Sequence, residues 1–244
     1  MNIDDVKKLT QKKYREEQQH YLLEGEHLLL ELFKAAQSQP YLKHSQLFIT
    51  EQHQDWVNQY NHHHLRTTVI GHKAMSQISD TKSPQGLLAV VPFAQTKAAA
   101  SDERAVYLHE IQDPGNLGTI LRSLAWFGGF RLLLSPNSVD VYNPKVIRSS
   151  MGAIFHVPFE QGLSFEQLQQ RYPRLAYLDM QGCSIRDASF KQFDAYLFGN
   201  EARGVPQQHL KQSQATAFTI QGSGQIESLN LATAVSLSAF TLAG

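Results

Sequence analysis

The sequence predicts an α/β protein in two parts, the second of them built on a mainly parallel sheet. Between residues 106 and 244, strand-length apolar runs alternate with amphipathic helical segments, a pattern typical of parallel strands joined by helices on both faces of the sheet. The stretch 96–105 is small and polar, lacks apolar periodicity and is interpreted as a linker. A chain of 244 residues is long enough for one large domain or two modest ones, each with a core.

The first part, residues 1–95, is predicted to be a small α/β unit. Val6–Gln37 shows a helical pattern in which Leu22, Leu23 and Phe33 belong to an apolar stripe beside a charged one. The elements predicted after it are a strand in SQLFITEQ, an amphipathic helix in HQDWVNQYNHHH, a strand and a short helix in LRTTVIGHKAMSQIS, and a buried strand in GLLAVVPF.

The second part, residues 106–244, alternates strands and helices to its end. Strands are predicted in AVYLHEI, FRLLLSP, HVPFE, RLAYLDM, DAYLFGN and ATAFTIQG. Helices are predicted in LGTILRSLAWFG, NPKVIRSSMGAIF, SFEQLQQRYP and SLNLATAVSLSAFTLAG. Parallel sheets bind ligands beyond the carboxyl ends of their strands, so the turns that follow these strands are where a site is expected.

Composition and charge exclude several classes of protein. Hydrophobic residues make up 42% and charged residues 18% of the chain, which fits neither a disordered nor a membrane protein. The N-terminal stretch is polar and has no secretory apolar core, and the single cysteine, Cys183, excludes an internal disulfide. Together these features favour a cytoplasmic protein. The net charge is zero, which argues against non-specific wrapping of nucleic acid but leaves a local basic patch open.

The first of three turns that stand out lies in Ile111–Gly129. A tight turn at Asp113–Asn116 precedes a helix that starts near Leu117, but neither G-x-G-x-x-G nor G-K-[ST] is present, so a dinucleotide site or a P-loop is not expected. Arg122 lies within the apolar pattern of this helix. It is either a surface arginine whose stem covers apolar neighbours or a ligand for a substrate phosphate.

The other two turns follow the last two predicted strands. In LFGNEARGVP, Gly199 and Gly204 permit close ligand approach and Glu201 follows a buried strand, although a plain turn would look the same. In IQGSGQIESLNL, Ser228 is expected to cap the closing helix, which puts Asn230 at its second or third position. Burying Asn230 without a partner would cost about 1–3 kcal/mol, so it is expected to have one.

Taken in order, the three turns carry the motifs N-x-G-x-x-x-R, F-G-N-E-x-x-G and E-S-L-N-L-A-x-A. On these motifs the chain is identified as a member of the SpoU (TrmH-like) RNA methyltransferases. Residues 106–244 resemble the catalytic domain of that family. Residues 7–93, through KYREEQQHYLLEGEHLLLEL and SDTKSPQGLLAVV, resemble its small L30e-like substrate-binding extension.

The resemblance implies a SPOUT-type parallel sheet with a C-terminal trefoil knot, and a homodimer. It implies transfer of a methyl group from S-adenosyl-L-methionine to a ribose 2'-hydroxyl of RNA, with ribosomal RNA preferred over transfer RNA. A catalytically silent RNA-binding, ribosome-associated protein is the alternative from another class, and methylation of a base is a third option that the motifs disfavour. No metal and no membrane partner are expected.

The resemblance also implies the residues of the site. The catalytic group comprises Arg122, Glu201 and Asn230, with Asn116 and Ser228 beside them. The cofactor site comprises Gly199, Ile220, Leu229, Asn200 and Gly204. Glu201 is expected to hydrogen-bond Arg122 or Asn230. Because arginine does not lose its proton in proteins, Arg122 is open to a positioning role as well as the role of a base.

The sequence offers more than one role for two further groups of residues. Lys7, Lys8, Lys12, Lys13 and Arg15 form a cationic end that either contacts RNA phosphates or is a solvated helix face. His62, His63 and His64 are consecutive and lack partners at metal-ligand spacing, so they are expected to be surface residues and not a metal site.

Overall fold

The computed structural model describes residues 1–94, 103–211 and 213–244, and their contacts divide into two compact units. The first unit contains the described residues up to 94 together with Tyr142–His156, and the second contains the rest. Of the predicted linker 96–105, residues 96–102 lie outside the described residues, whereas Arg104 and Ala105 already belong to a strand. No helix in the described ranges is long and apolar enough to cross a membrane.

The first unit is a four-stranded mixed sheet with helices packed against it. Its strands, numbered along the whole chain, are β1 (His20–Glu24), β2 (Gln46–Ile49), β3 (Arg66–Val69) and β4 (Leu87–Pro92), in the order β1-β4-β2-β3. Its helices are α1 (Ile3–Lys8), α2 (Lys12–Gln18), α3 (Glu26–Ala35), α4 (Gln54–Tyr60), α5 (His72–Ile78) and α7 (Pro144–Ser150), with 3-10 turns at Pro40–His44, Glu51–His53 and Ala153–Phe155. Strands β2 and β3 are parallel, and β4 is antiparallel to both β1 and β2.

The prediction of one helical stretch over Val6–Gln37 is wrong in its middle. Gln19 adopts a left-handed conformation that ends α2, and the next five residues form β1, which pairs with β4. Leu22 and Leu23 point to opposite faces of the sheet and both are buried. A strand that is buried on both faces shows no polar alternation, so its apolar run resembles part of a helical stripe.

The second unit is a six-stranded sheet in which every pair is parallel. Its strands are β5 (Arg104–Leu108), β6 (Phe130–Leu134), β7 (Phe159–Gln161), β8 (Leu175–Ser184), β9 (Ala195–Phe198) and β10 (Thr216–Thr219), in the order β10-β8-β9-β5-β6-β7. Its helices are α6 (Pro114–Phe127), α8 (Phe165–Arg171), α9 (Gln207–Leu210) and α10 (Leu231–Ala243), with a 3-10 turn at Ala188–Gln192. The predicted parallel sheet is confirmed, and the trefoil knot stays a prediction.

Two helix boundaries differ from the predictions. The segment NPKVIRSSMGAIF forms α7 and then a separate 3-10 turn, because Met151 and Gly152 take left-handed conformations. The closing helix begins at Leu231, and its N-cap is Asn230, whose Oδ1 accepts a hydrogen bond from the amide of Thr233 at 3.3 Å. The prediction that Ser228 caps this helix is therefore wrong. Asparagine and serine are equally good caps, so the sequence alone did not decide between them.

Candidate active site

A cavity of about 480 Å³ lies in the second unit, beyond the ends of β9 and β10 and beside the start of α10. All ten predicted site residues except Arg122 line it. The ones that do are Asn116, Gly199, Asn200, Glu201, Gly204, Ile220, Ser228, Leu229 and Asn230. The structure thus brings the three motif turns to one place, as the strand-end rule for parallel sheets predicts.

The cavity also has a wall that the sequence analysis missed. Leu178, Asp179 and Met180 line it from β8, just after Tyr177, the last residue that pairs β8 with β9. Asp179 lies within β8, just past the last residue that pairs with β9, so inspecting only the turns between strands and helices passed over it. Its signal in the sequence is an acid that directly follows the apolar run LAYL.

A chain of hydrogen bonds joins the three motifs. The Asn230 side-chain amide donates to Asn116 Oδ1 at 3.0 Å, and Asn116 Nδ2 donates to Glu201 Oε1 at 3.3 Å. Glu201 was expected to bond directly to Arg122 or Asn230. It bonds to Asn116 instead, and Asn116 connects it to Asn230. These bonds fix the direction of the Asn116 amide, because its oxygen and its nitrogen each have a defined partner.

Local sequence explains why these side chains meet. The Asp113 side chain caps α6 by accepting a hydrogen bond from the backbone N–H of Asn116 at 2.7 Å, and Pro114 occupies the first helical position. Asn230 caps α10 in the same way, so two helices begin beside each other. The positive ends of both helix dipoles favour a carboxylate such as Glu201 at this point.

Arg122 does not join this cluster within the chain. It is exposed on α6, does not line the cavity, and has no hydrogen bond or ion pair with any residue that the structure describes. Six residues separate it from Asn116, which places it about 9 Å further along the helix and on a different face. Within one chain Arg122 therefore lies apart from Glu201 and Asn230, and its place in the catalytic group stays a prediction.

The loop that carries Glu201 is tied down at both ends. Asn200 and Gly204 exchange backbone hydrogen bonds of 2.9 Å, and the buried Asn200 side chain accepts from two loop amides and donates to the backbone oxygen of Glu110 at 2.7 Å. The Glu110 carboxylate pairs with Arg203 of the same loop. Asn200 is therefore engaged in holding the loop, and its side chain is not free for a ligand.

Residues at the end of β5 support this loop under local strain. Glu110 has a φ of 50°, which is uncommon outside glycine, and its amide donates to Ser135 Oγ at 2.6 Å. The neighbouring His109 has a buried Nδ1 with no hydrogen-bond partner among the described residues, and burial lowers the pKa of its imidazole. These contacts indicate a loop position that is fixed before any ligand binds.

Gly199 is the position in the site that is least tolerant of a side chain. A Cβ there would overlap the backbone carbon of Gly204 and the amide nitrogen of Val205. We expect Gly199→Ala to lower the free energy of unfolding by about 3 kcal/mol, because backbone cannot move aside as a flexible side chain can. Thermal unfolding measures this. Gly222→Ala is the matched control, since Gly222 has open space around it, and equal unfolding temperatures for the two variants would contradict the assignment.

The charge of the cavity is negative. Its ionisable lining residues are Asp179 and Glu201, and no lysine, arginine or histidine is among the described residues that line it. Asp179 accepts hydrogen bonds from the amide of Met180 at 2.6 Å and from Gln207 Nε2 at 3.1 Å. A cavity with two carboxylates and an apolar wall suits a ligand with positive charge and an aromatic ring, and does not suit a polyphosphate.

Comparison with known proteins agrees with this geometry. Residues 103–240 match the family model described as SpoU rRNA Methylase family, which spans the parallel sheet and the cavity. The chain belongs to the SpoU rRNA methylase family. Residues 1–89 match a second model, the MRM3-like substrate binding domain, which covers most of the first unit. The resemblance identified from the three motifs is confirmed.

Individual relatives and solved structures match nearly the whole chain. The 23S rRNA (guanosine(2553)-2'-O)-methyltransferase RlmP of Bacillus subtilis is 28% identical over 99% of this chain and 96% of its own length. The AdoMet-bound rRNA methyltransferase of Sinorhizobium meliloti superposes with a TM-score of 0.81 and 24% identity, covering 98% of this chain and 93% of its own. The SpoU methyltransferase AviRb of Streptomyces viridochromogenes, in complex with AdoMet, has a TM-score of 0.82 and 22% identity over 99% of this chain and 96% of its own. These two likenesses establish the fold.

Proposed function

We propose that this protein transfers a methyl group from S-adenosyl-L-methionine to a ribose 2'-hydroxyl of ribosomal RNA. The observation that carries the proposal is the hydrogen-bonded chain Asn230–Asn116–Glu201, which joins all three SpoU motifs at one cavity. Ribosomal RNA is favoured over transfer RNA because RlmP, whose name specifies 23S rRNA, matches this chain over nearly all of its own length. We also propose that the protein acts in the cytoplasm, because RlmP, which matches it over nearly its full length, is a bacterial rRNA methyltransferase.

The cavity fits the proposed cofactor. Leu178, Met180, Ile220 and Leu229 offer apolar surface to an adenine ring, and Gly199 and Gly204 line the same cavity. Asp179 and Glu201 supply the negative charge that a sulfonium and an ammonium group require. When bound, S-adenosyl-L-methionine would supply an activated methyl group: the S–C bond would break as the ribose oxygen bonds to the methyl carbon, the hydroxyl proton would pass to water, and S-adenosyl-L-homocysteine would leave.

The residues of this chain act by position. Asn116 and Asn230 hold the Glu201 carboxylate at the cavity rim, where it is exposed to a bound nucleoside. We assign Arg122 the binding of an RNA phosphate, because its planar guanidinium suits that group, and this contact orients the hydroxyl towards the methyl group. Alignment of reacting atoms in this way is among the largest contributions that a protein makes to such a transfer.

A transfer assay tests the proposal. The protein is incubated with S-adenosyl-L-methionine labelled in the methyl group and with ribosomal or transfer RNA from cells that lack the gene. We expect label in ribosomal RNA and a gap at one nucleotide in the alkaline cleavage ladder, because a methylated 2'-oxygen cannot attack its phosphate. Label in a base, label in transfer RNA alone, or no cofactor binding and no transfer would each contradict the proposal.

We propose that residues 1–95 form the RNA substrate-binding domain and 106–244 the catalytic domain. The match of residues 1–89 to a substrate-binding family model supports this division, although Tyr142–His156 pack with the first unit. Four of the five N-terminal cations have partners within the protein, and their contact with RNA stays a prediction. Lys8, Lys12 and Lys13 are paired with acids one turn away, and the buried Arg15 donates to the backbone oxygens of Leu9 and Thr10.

We also propose that the protein is a homodimer that associates through α6 and α10. These helices contact each other through Ser123 and Ser236, whose hydroxyls lie 2.6 Å apart, and yet they leave large apolar side chains in solvent. Trp126 is 84% exposed and Phe240 is 66% exposed. A helix that is apolar on all sides, as α10 is, normally lies in protein on all sides, and a second copy supplies the missing cover.

Charge on this face is expected to separate the subunits. Trp126→Glu should convert the dimer to monomer, because burying an unpaired carboxylate in an apolar interface is unfavourable. Light scattering at micromolar concentration measures the mass. Met180→Glu serves as the control, since Met180 is 66% exposed but lies at the cavity instead. A wild-type protein that is monomeric, or a Trp126→Glu variant that is still dimeric, would contradict the proposed interface.

A further inference from the structure

A second cavity, of about 430 Å³, lies in the first unit between α4 and β3. Ile49 and Val69, which end the parallel strands β2 and β3 and pair with each other, line it at the edge where parallel sheets bind ligands. Its other lining residues are Gln54, Val57, Asn58, Asn61, His62, His64 and Thr67. We call this cavity the α4–β3 cleft.

The loop at the rim of the cleft is held by internal hydrogen bonds. Asn61 closes it by exchanging two 2.9 Å hydrogen bonds with the backbone of Leu65, and His63 Nε2 donates to the backbone oxygen of Phe33 at 3.1 Å. His64 has a φ of 52°, an uncommon conformation for a residue with a side chain. The middle histidine of the three therefore anchors the loop, and the two others line the cleft.

Four polar side chains at the cleft have no partner within the described part of the chain. Gln54, Asn58, His62 and His64 all line it, and none has a side-chain hydrogen bond or ion pair among the residues that the structure describes. Thr67 bonds only to the backbone of Leu65. Amides and imidazoles carry both donors and acceptors, so the rim offers a set of unused, directional hydrogen-bonding groups.

The floor of the cleft is apolar. Ile49 and Val57 are buried beneath it, and Val69 is 46% exposed although it belongs to a strand. Among the residues that the structure describes, no lysine, arginine or carboxylate lines the cleft, and no group of three or more side chains could hold a metal ion. Phosphate and metal ions are therefore poor ligands for this cleft. A flat heterocycle with polar edges matches an apolar floor and a neutral, hydrogen-bonding rim.

We infer that the α4–β3 cleft binds an unpaired nucleobase of the RNA substrate. This inference rests on the proposed function, because it names the part of the RNA that the first unit recognises. Val69 contacts the face of the base above the buried Ile49 and Val57, and Asn58 and His62 hydrogen-bond its edge. The base must be unpaired, since a base within a duplex presents neither its face nor its pairing edge.

A pair of double variants tests the inference in the full-length protein. Asn58→Ala with His62→Ala removes two rim groups, and Gln52→Ala with Gln59→Ala removes two exposed amides that lie outside the cleft. None of the four is bonded within the described structure, so both variants should unfold at the wild-type temperature. The probes are a 12-nucleotide single-stranded RNA and the same strand annealed to its complement, with binding followed by fluorescence anisotropy over a range of salt concentrations.

We expect the cleft variant to bind the single strand about 10-fold more weakly and the duplex unchanged, with the same salt dependence as the wild type, because a lost base contact releases no counterions. The control variant should match the wild type on both probes. Equal binding of the single strand by wild type and cleft variant, an equal loss on the duplex, a reduced salt slope, or no binding of the single strand by the wild type would each overturn the inference.

Methyl transfer separates this inference from the proposed function. If both hold, the cleft variant has a raised KM for ribosomal RNA and an unchanged kcat, since the cleft and the methyl-transfer cavity share no residue. If the wild type transfers methyl groups and the cleft variant has the wild-type KM, the inference fails and the function stands. If the wild type transfers no methyl groups, and the cleft variant still shows the selective loss of single-strand binding, the proposed function is wrong and the inference about the cleft stands.

Discussion

Replacing Arg122 by alanine is expected to lower methyl transfer about a thousandfold and to leave cofactor affinity unchanged. The guanidinium is exposed, has no partner in the described structure and does not line the cavity, so the cofactor site loses no contact. What the variant loses is the charge that would hold a phosphate and orient the ribose, and removal of one such group costs about 10²–10³-fold in rate. Single-turnover transfer and equilibrium cofactor binding measure the two quantities separately.

Arg122→Lys is the control, because it keeps the positive charge but not the planar guanidinium. Its methyl-transfer rate should lie between those of the wild type and Arg122→Ala. Near-wild-type activity of Arg122→Ala would contradict the assignment.

Mixed dimers add a second test. Arg122 is four residues from Trp126 and so shares its helix face, which is the proposed interface. If one subunit's arginine serves the other's cavity, equal mixing of Arg122→Ala and Asn230→Ala subunits should recover about a quarter of wild-type activity.

Replacing Asn230 by alanine is expected to affect both stability and activity. The side chain caps α10 through Thr233 and donates to Asn116, which in turn holds Glu201. Loss of the cap should lower the free energy of unfolding by about 1 kcal/mol. Loss of the donor frees the Asn116 amide to turn and releases the carboxylate, and we expect transfer to fall about 100-fold or more. Thermal unfolding and single-turnover kinetics measure the two effects.

Asn230→Asp separates the two roles. A carboxylate still caps the helix, so the unfolding temperature should be close to that of the wild type. It cannot donate to Asn116 and adds a negative charge near Glu201, so transfer should fall as far as in the alanine variant. If Asn230→Asp retained activity while Asn230→Ala lost it, the residue would act only as a cap and its place in the catalytic group would be wrong.

The predictable parts of the fold and of the site are those that a short stretch of sequence is enough to indicate. The parallel sheet follows from strand–helix alternation. Eight of the nine predicted residues at the cavity belong to the three short motifs, and Ile220 directly follows the last strand. β1 was missed because a strand buried on both faces has no period of its own. Its identity depends on pairing with β4, which is more than 60 residues away in sequence.

Which residues form the site was easier to predict than how those residues bond to one another. Glu201 bonds to Asn116 and not to Arg122, a difference that depends on which face of α6 each residue occupies. Asn230 and Ser228 are both good capping residues, and the choice between them is set by where the preceding loop enters α10. The α4–β3 cleft was invisible in the sequence, because three consecutive histidines do not show which of them is used internally.

Ribose methylation in cells tests the central claim most directly. Ribosomal RNA is taken from cells that lack the gene and carry either the wild-type protein or the Asn230→Asp variant, and every nucleotide is scored for resistance to alkaline cleavage. We predict one resistant ribose with the wild-type protein that is absent with the variant and without the gene. A ribosomal RNA pattern identical in all three strains would contradict the assignment of this protein as a ribosomal RNA 2'-O-methyltransferase.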